Sequence, residues 1–259
     1  MIRKICLLLV MAMLLVLISC NKFGNEKPSI ISINKQFPLK NNKSSNIVFS
    51  VADSVYNNRE INITYPQIKK LEDESRQNSI NDLLRKEAFT VLDLFRYQDD
   101  ITIKINYKIT RKSNYILSVT YDGYARPRRT YPSRLFYTVN IDINSGRKIE
   151  LKDYINIDKS FINKFRNYEV REPEMNQASA SAFDYILKSY SDEDLIRCFN
   201  TADSSYAKSP FAFSYLTNDS LGISMEAPHV AGGHIEIELK YTNIKDNIET
   251  NKHAYMESY

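Results

Sequence analysis

The chain has 259 residues, 43% of them hydrophobic and 25% charged, with 35 Lys+Arg against 31 Asp+Glu and a formal net charge of +4. That composition is ordinary for a globular protein and excludes a disordered chain or a membrane bundle. The small charge excess, unclustered along most of the chain, argues against a nucleic-acid binder.

The first elements concern address rather than fold. Arg3 and Lys4 precede Ile5 to Ile18, an apolar run too short to span a bilayer but suited to a signal-peptide core. It ends in Leu17-Ile18-Ser19-Cys20, which resembles a bacterial lipobox. The resemblance implies removal of residues 1–19 and lipidation of Cys20, giving an anchor of two or more acyl chains. Asn21, rather than Asp, after the anchor favours outer-membrane sorting in diderm envelopes. Of the three cysteines, Cys6 then leaves with the leader and Cys20 carries lipid, so Cys198 has no partner for an internal disulfide and is expected to pack as a small hydrophobe. Residues 20–45 are polar and read as a tether.

From about residue 46 the pattern is that of a folded domain. Ile47 to Val51 and Ile61 to Tyr65 are short β runs on either side of Tyr56-Asn57-Asn58-Arg59, the second closed by Pro66. A long helix is predicted from Ile68 and Leu71 through Ile80, Leu84, Ala88, Val91 and Phe95, with no Gly or Pro between Gln67 and Phe95. Ile101 to Ile109 alternates apolar and polar, as a strand wet on one face does. Tyr115 to Tyr121 and Leu135 to Ile143 are further strands, and Asn144-Ser145-Gly146 turns into Lys148 to Leu151. Asp158 is placed to cap a helix carrying Phe161 and Phe165, and Ala178 to Leu187 reads as another. Ser191 to Asp194 has the spacing of a capping box for a helix with Leu195 and Phe199. A hairpin over Phe211 to Met225 and a strand over Ile235 to Tyr241 complete the pattern, and the segment from Asn243 is expected to fray. The fold class is α+β: antiparallel sheets packed with one long N-terminal helix and a cluster of shorter helices in the second half. The expected divisions are 1–19 signal, 20–45 tether, 46–135 and 136–243 as two α+β subdomains, and 244–259 as a polar tail.

Three stretches, Ile63 to Ile68, Ile116 to Asp153 and Phe213 to Ile237, resemble a bacterial extracytoplasmic module of unassigned function, the RsiV/PdaC-like family. That module forms the outer part of a lysozyme-binding anti-sigma factor and precedes the catalytic domain of a peptidoglycan deacetylase. The resemblance implies an envelope setting and a binding role. The loop Ala125 to Ser133 and the segment Glu226 to Val230 depart from the family's pattern, so lysozyme binding does not carry over with the fold.

The densest candidate site is Tyr121, Tyr124, Arg126, Arg128, Arg129, Tyr131 and Arg134. Arginine forks match carboxylates, and tyrosine offers a stiff apolar face with a hydrogen-bonding tip. The combination suits an acidic peptide, a glycan bearing carboxylates or an acidic protein surface. His229 and His234, with Glu226 and Glu236 nearby, flank Gly232-Gly233 and read as loop-lining ligand contacts rather than a zinc set. No metal or cofactor is expected, and no nucleophile elbow, phosphate-binding loop or H-E-x-x-H motif occurs. The expected function is a lipid-anchored, non-enzymatic binding module for a cell-wall fragment or a protein such as a muramidase. The alternative is an envelope hydrolase working through carboxylates or the two histidines.

Overall fold

A computed structural model describes residues 48–168, 177–204, 211–229 and 232–249, all within one compact unit spanning 45–259. The leader, Cys20 and the whole tether lie outside the described residues. Among those described, no helix is long and apolar enough to cross a membrane.

The class is α+β. A six-stranded sheet runs in chain order: β1 (Ser50–Asn58), β2 (Ile61–Lys69), β3 (Ile101–Lys112), β4 (Ile116–Pro127), β5 (Ser133–Asp142) and β6 (Arg147–Ile149). All neighbours are antiparallel except β2 and β3, which run parallel over Ile61–Ile63 against Ile103–Ile105. A parallel pair needs a crossover, supplied here by α1 (Glu74–Ala88) and the short α2 (Thr90–Leu94).

The helix starts later than its periodicity predicts. Ile68 belongs to β2, which continues through Pro66 to Lys69, and Asp73 is the true cap, its carboxylate accepting from Arg76 N at 2.9 Å. Because β2 meets β3 only over three residues, Ile68 is paired with Val51 of β1 on one side and has no strand on the other. The Asn81 side chain replaces one, accepting from Ile68 N at 2.7 Å and donating to its carbonyl at 3.0 Å. A side-chain amide thus does what a neighbouring strand would, satisfying backbone groups that are costly to bury unpaired.

One face of the sheet receives α1. Tyr121 and Tyr137 stack with ring centroids 5.0 Å apart, and their hydroxyls donate to helix carbonyls of Leu84 and Ala88 at 3.1 and 2.8 Å. Around them Ile63, Ile80, Leu84, Ile103, Ile105, Val119 and Val139 form the first core.

The opposite face receives a second, three-stranded antiparallel sheet, β7 (Ala212–Leu216), β8 (Ser220–Glu226) and β9 (His234–Lys240). Helices α3 (Leu151–Tyr154), α4 (Lys159–Arg166), α5 (Gln177–Ser189) and α6 (Asp192–Asn200) complete a second core around Phe161, Phe165, Phe183, Leu195 and Phe199. The caps read in the sequence are present: Asp158 accepts from Phe161 N, and Ser191 with Asp194 forms a capping box. Cys198 is buried in this core, and burial pushes its thiol up to about 12. The boundary expected at 135/136 falls inside β5, so the two halves share a sheet.

With both faces covered, Ile116–Tyr121 and Leu135–Ile141 are buried throughout. Their polar members form a seam between the sheets. The Ser118 hydroxyl donates to Asn140 Oδ1 at 2.7 Å and accepts from Leu216 N at 2.9 Å. Ser214 O accepts from Thr138 Oγ1 at 2.6 Å and Asn140 Nδ2 at 2.9 Å. At its centre Asp203, fully buried and at φ 65°, accepts from Ser214 N, Ser214 Oγ and Leu151 N at 2.6, 2.6 and 2.8 Å. Ser214 Oγ in turn lies 2.6 Å from the Tyr154 hydroxyl. Burial raises the Asp203 carboxyl to about 6, against the pull of those hydrogen bonds.

The segment after Asn243 does not fray over its described length. Tyr241–Ile244 is a helical turn (α7), followed by a 3-10 turn, and Ile244 and Asn247 are buried. Asn247 N–H groups donate to Asn156 O and Asp158, its Oδ1 accepts from Lys164 Nζ at 2.8 Å, and Ile248 bridges to Ile155. Residues 250–259 lie outside the described residues.

Candidate functional site

Turn chemistry and topology place the arginines. The β1–β2 turn puts Arg59 at φ 52°, and the β4–β5 turn puts Arg129 at φ 62°. Both are left-handed conformations in which Gly or Asn is the less strained choice. The parallel β2–β3 pairing brings the first turn beside the start of β3 and the end of β4. A cleft of about 620 Å³ forms there, lined by Arg59, Arg126, Arg128 and Arg129 with Glu60, Asp99 and Asp100. Asn58, Gln98 and Thr102 add amides and a hydroxyl.

A second cleft of about 450 Å³ lies on the other side of Arg126, lined by Asp122, Gly123, Tyr124, Arg126, Pro132 and Arg134. The alternation of β4 explains the placement. Tyr121 and Ala125 point to the α1 core, so Tyr124 and Arg126 belong to the opposite face, beyond the reach of the second sheet.

The charges are partly matched. Arg128 Nη1 lies 3.1 Å from Asp100 Oδ2, and Arg134 Nη2 lies 3.4 Å from Asp122 Oδ2. Both pairs are more than half exposed, so each contributes at most about 1 kcal/mol and is open to exchange with a ligand. Arg126 and Arg129 have no carboxylate partner among the described residues.

The structure therefore sorts the candidate residues. Tyr124, Arg126 and Arg134 meet in one cleft, and Arg126, Arg128 and Arg129 meet in the other. Tyr131 lines neither, standing 87% exposed on the turn. Tyr121 is a correction: it is fully buried against α1, burial holds its hydroxyl well above the usual range, and it cannot touch a ligand. Arg59 is an addition. In sequence it sits in an unremarkable polar turn, and only the parallel strand pairing brings it to the other arginines.

The histidines anchor the loop between β8 and β9 to the start of β5. His229 Nε2 lies 3.2 Å from Pro132 O. His234 stacks on Phe136 at 4.7 Å, its Nε2 3.4 Å from Glu236 Oε1, with Nδ1 buried and without a hydrogen-bond partner. No cluster of His, Cys, Asp or Glu able to hold a metal occurs among the described residues.

A third cleft of about 500 Å³ lies beside β9, lined by Lys108, Thr120, Tyr215, Asp219, Glu236 and Glu238 among others. There the Tyr215 hydroxyl donates to Glu238 Oε1 at 3.2 Å, and Lys240 pairs with Asp219 at 2.8 Å.

The architecture is thus a mixed sheet faced by a helix and a second sheet, with arginine-lined clefts at one end. Neither a family model nor a curated protein matches the sequence. Among solved structures, the chain is similar to a member of the DUF3298 family from Bacteroides fragilis, with a TM-score of 0.47 and 13% identity over 80% of this chain and 96% of that one. It is also similar to a DUF3298 family protein from Pseudomonas aeruginosa, with a TM-score of 0.47 and 11% identity over 81% of this chain and 97% of that one.

Proposed function

We propose that this chain is a lipid-anchored binding module of the bacterial cell envelope, of the RsiV/PdaC-like kind, that recognises an anionic ligand without turning it over. The observation that carries the reading is the cleft in which Arg59, Arg126, Arg128 and Arg129 converge from two turns distant in sequence. Two of these arginines occupy left-handed backbone positions that the tight turns between strands impose, and the turns hold them at the mouth of the cleft. The lipobox at Cys20 and the motif stretches Ile116 to Asp153 and Phe213 to Ile237 support the envelope setting, with outer-membrane sorting favoured by Asn21. The ligand is a cell-wall fragment or an envelope protein such as a muramidase bearing an acidic patch, since an arginine cleft repels a strongly cationic partner.

The test is retention of the full-length chain, in mild detergent, on purified peptidoglycan and on a panel of immobilised muramidases at low salt. Retention that weakens on raising the salt, and weakens again in Arg126→Gln, is the expected result. No retention on any of these supports would overturn the reading, and release of soluble muropeptides would replace it with the hydrolase alternative.

A further inference from the structure

Among the described residues Arg126 alone lines both arginine clefts, and the ligand chemistry follows from that position. We infer that the two clefts form one continuous site for an anionic glycan of singly charged sugars, with one carboxylate-bearing sugar in each cleft and Arg126 at the junction. This rests on the binding reading above and names its ligand class.

Three features select this class. The clefts lie at strand ends, where the β1–β2 turn, the start of β3 and the β4–β5 turn meet, rather than along the length of the outer strands β1 and β6, where a peptide would add backbone hydrogen bonds. Sugars need side chains only, and the lining supplies them. Asn58, Gln98 and Thr102 suit hydroxyl groups, while Tyr124 offers a face for a sugar ring. Finally, Glu60, Asp99, Asp100 and Asp122 line the clefts together with the arginines. They accept from sugar hydroxyls, which oligoglutamate lacks, and repel a chain carrying more than one charge per sugar, which disfavours densely phosphorylated chains.

Calorimetry on the full-length chain in mild detergent tests this, with a length series of oligogalacturonates, neutral N-acetylglucosamine oligomers and oligoglutamate as probes. Affinity for the galacturonates is expected to rise with length and then level off once both clefts are filled. Neutral oligomers should bind about 10-fold more weakly or worse, the loss expected for one charge-assisted pair. Arg59→Gln and Arg134→Gln should each weaken long galacturonates about 10-fold. Arg126→Gln should weaken them more than either and abolish the dependence on length. Arg147→Gln, on exposed β6 away from the clefts, is the control and should change nothing. Oligoglutamate binding as tightly as galacturonate, neutral oligomers binding equally, or Arg126→Gln behaving like the control would each overturn the inference. Salt-sensitive retention on peptidoglycan or a muramidase with no binding of galacturonates would overturn it too, while leaving the binding-module reading in place.

Discussion

Replacing Asp203 by Asn isolates the energetics of the seam between the two sheets. Asn tolerates the left-handed backbone at this position and keeps the side-chain shape. In the native chain the carboxyl is raised from 3.8 to about 6 by burial, roughly two pK units at about 1.4 kcal/mol each, or about 3 kcal/mol. The sign follows from proton binding. Below about pH 4 folded and unfolded chains both hold the proton, and the full contribution to stability is present. As pH rises the unfolded chain releases it first, so stability falls, and the loss is complete above about pH 7. Asn does not titrate and has no such limb. It also sets an amide N–H against Leu151 N–H, now 2.8 Å from the carboxylate, a pH-independent penalty of about 1–3 kcal/mol. Urea unfolding of both proteins at a series of pH values should therefore show the native chain's advantage about 3 kcal/mol larger at pH 3 than at pH 8. Taking the difference between the two proteins cancels the titration of every other group. An advantage that is constant with pH, or that grows toward pH 8, would refute the reasoning and mean that the hydrogen bonds outweigh desolvation.

The remaining expectations concern packing and reactivity. Tyr121→Phe removes a buried hydrogen bond to Leu84 O and should lower stability by about 1–2 kcal/mol in thermal unfolding, with ligand retention unchanged because the side chain faces α1. Gly222→Ala places a methyl about 2.1 Å from the Tyr215 ring, so it should cost about 1–3 kcal/mol and lower the urea midpoint. Cys198, buried with its thiol raised to about 12, should resist a water-soluble thiol reagent at pH 8 in the folded protein and react at once in denaturant.

What the sequence announces is local, and what it conceals is tertiary. Alternation over Ile101 to Ile109 and the capping residues Asp158 and Ser191 are short-range physics, and the strand and both helix starts lie where those signals place them. Apolar spacing at Ile68 and Leu71 fits a helix as well as a strand end, and the contact that decides it is Asn81 reaching back to Ile68. Similarly, Tyr121 lies among arginines in sequence but on the other side of the pleat, a two-residue period that a cluster of residue types does not register. Arg59 was invisible for the opposite reason, since its neighbours in space come from a strand pairing across the intervening helix. The burial of Ser118, Thr138 and Asn140 has no local signal, since it depends on a second sheet that covers them.

The closing contacts of the chain set an order of events. Residues 244–249 lock onto the loop between α3 and α4, with Glu249 N donating to Tyr154 O at 2.9 Å and Asn247 O accepting from Asn156 N at 2.7 Å. The first core is built from residues up to Ile143 plus Phe213, whereas the second stays unfinished until Ile235 to Ile244 have been synthesised. A growing chain therefore has an interval in which the large sheet has one face covered by α1 and the other bare, with Ser118, Thr138 and Asn140 still bonded to water rather than to the second sheet.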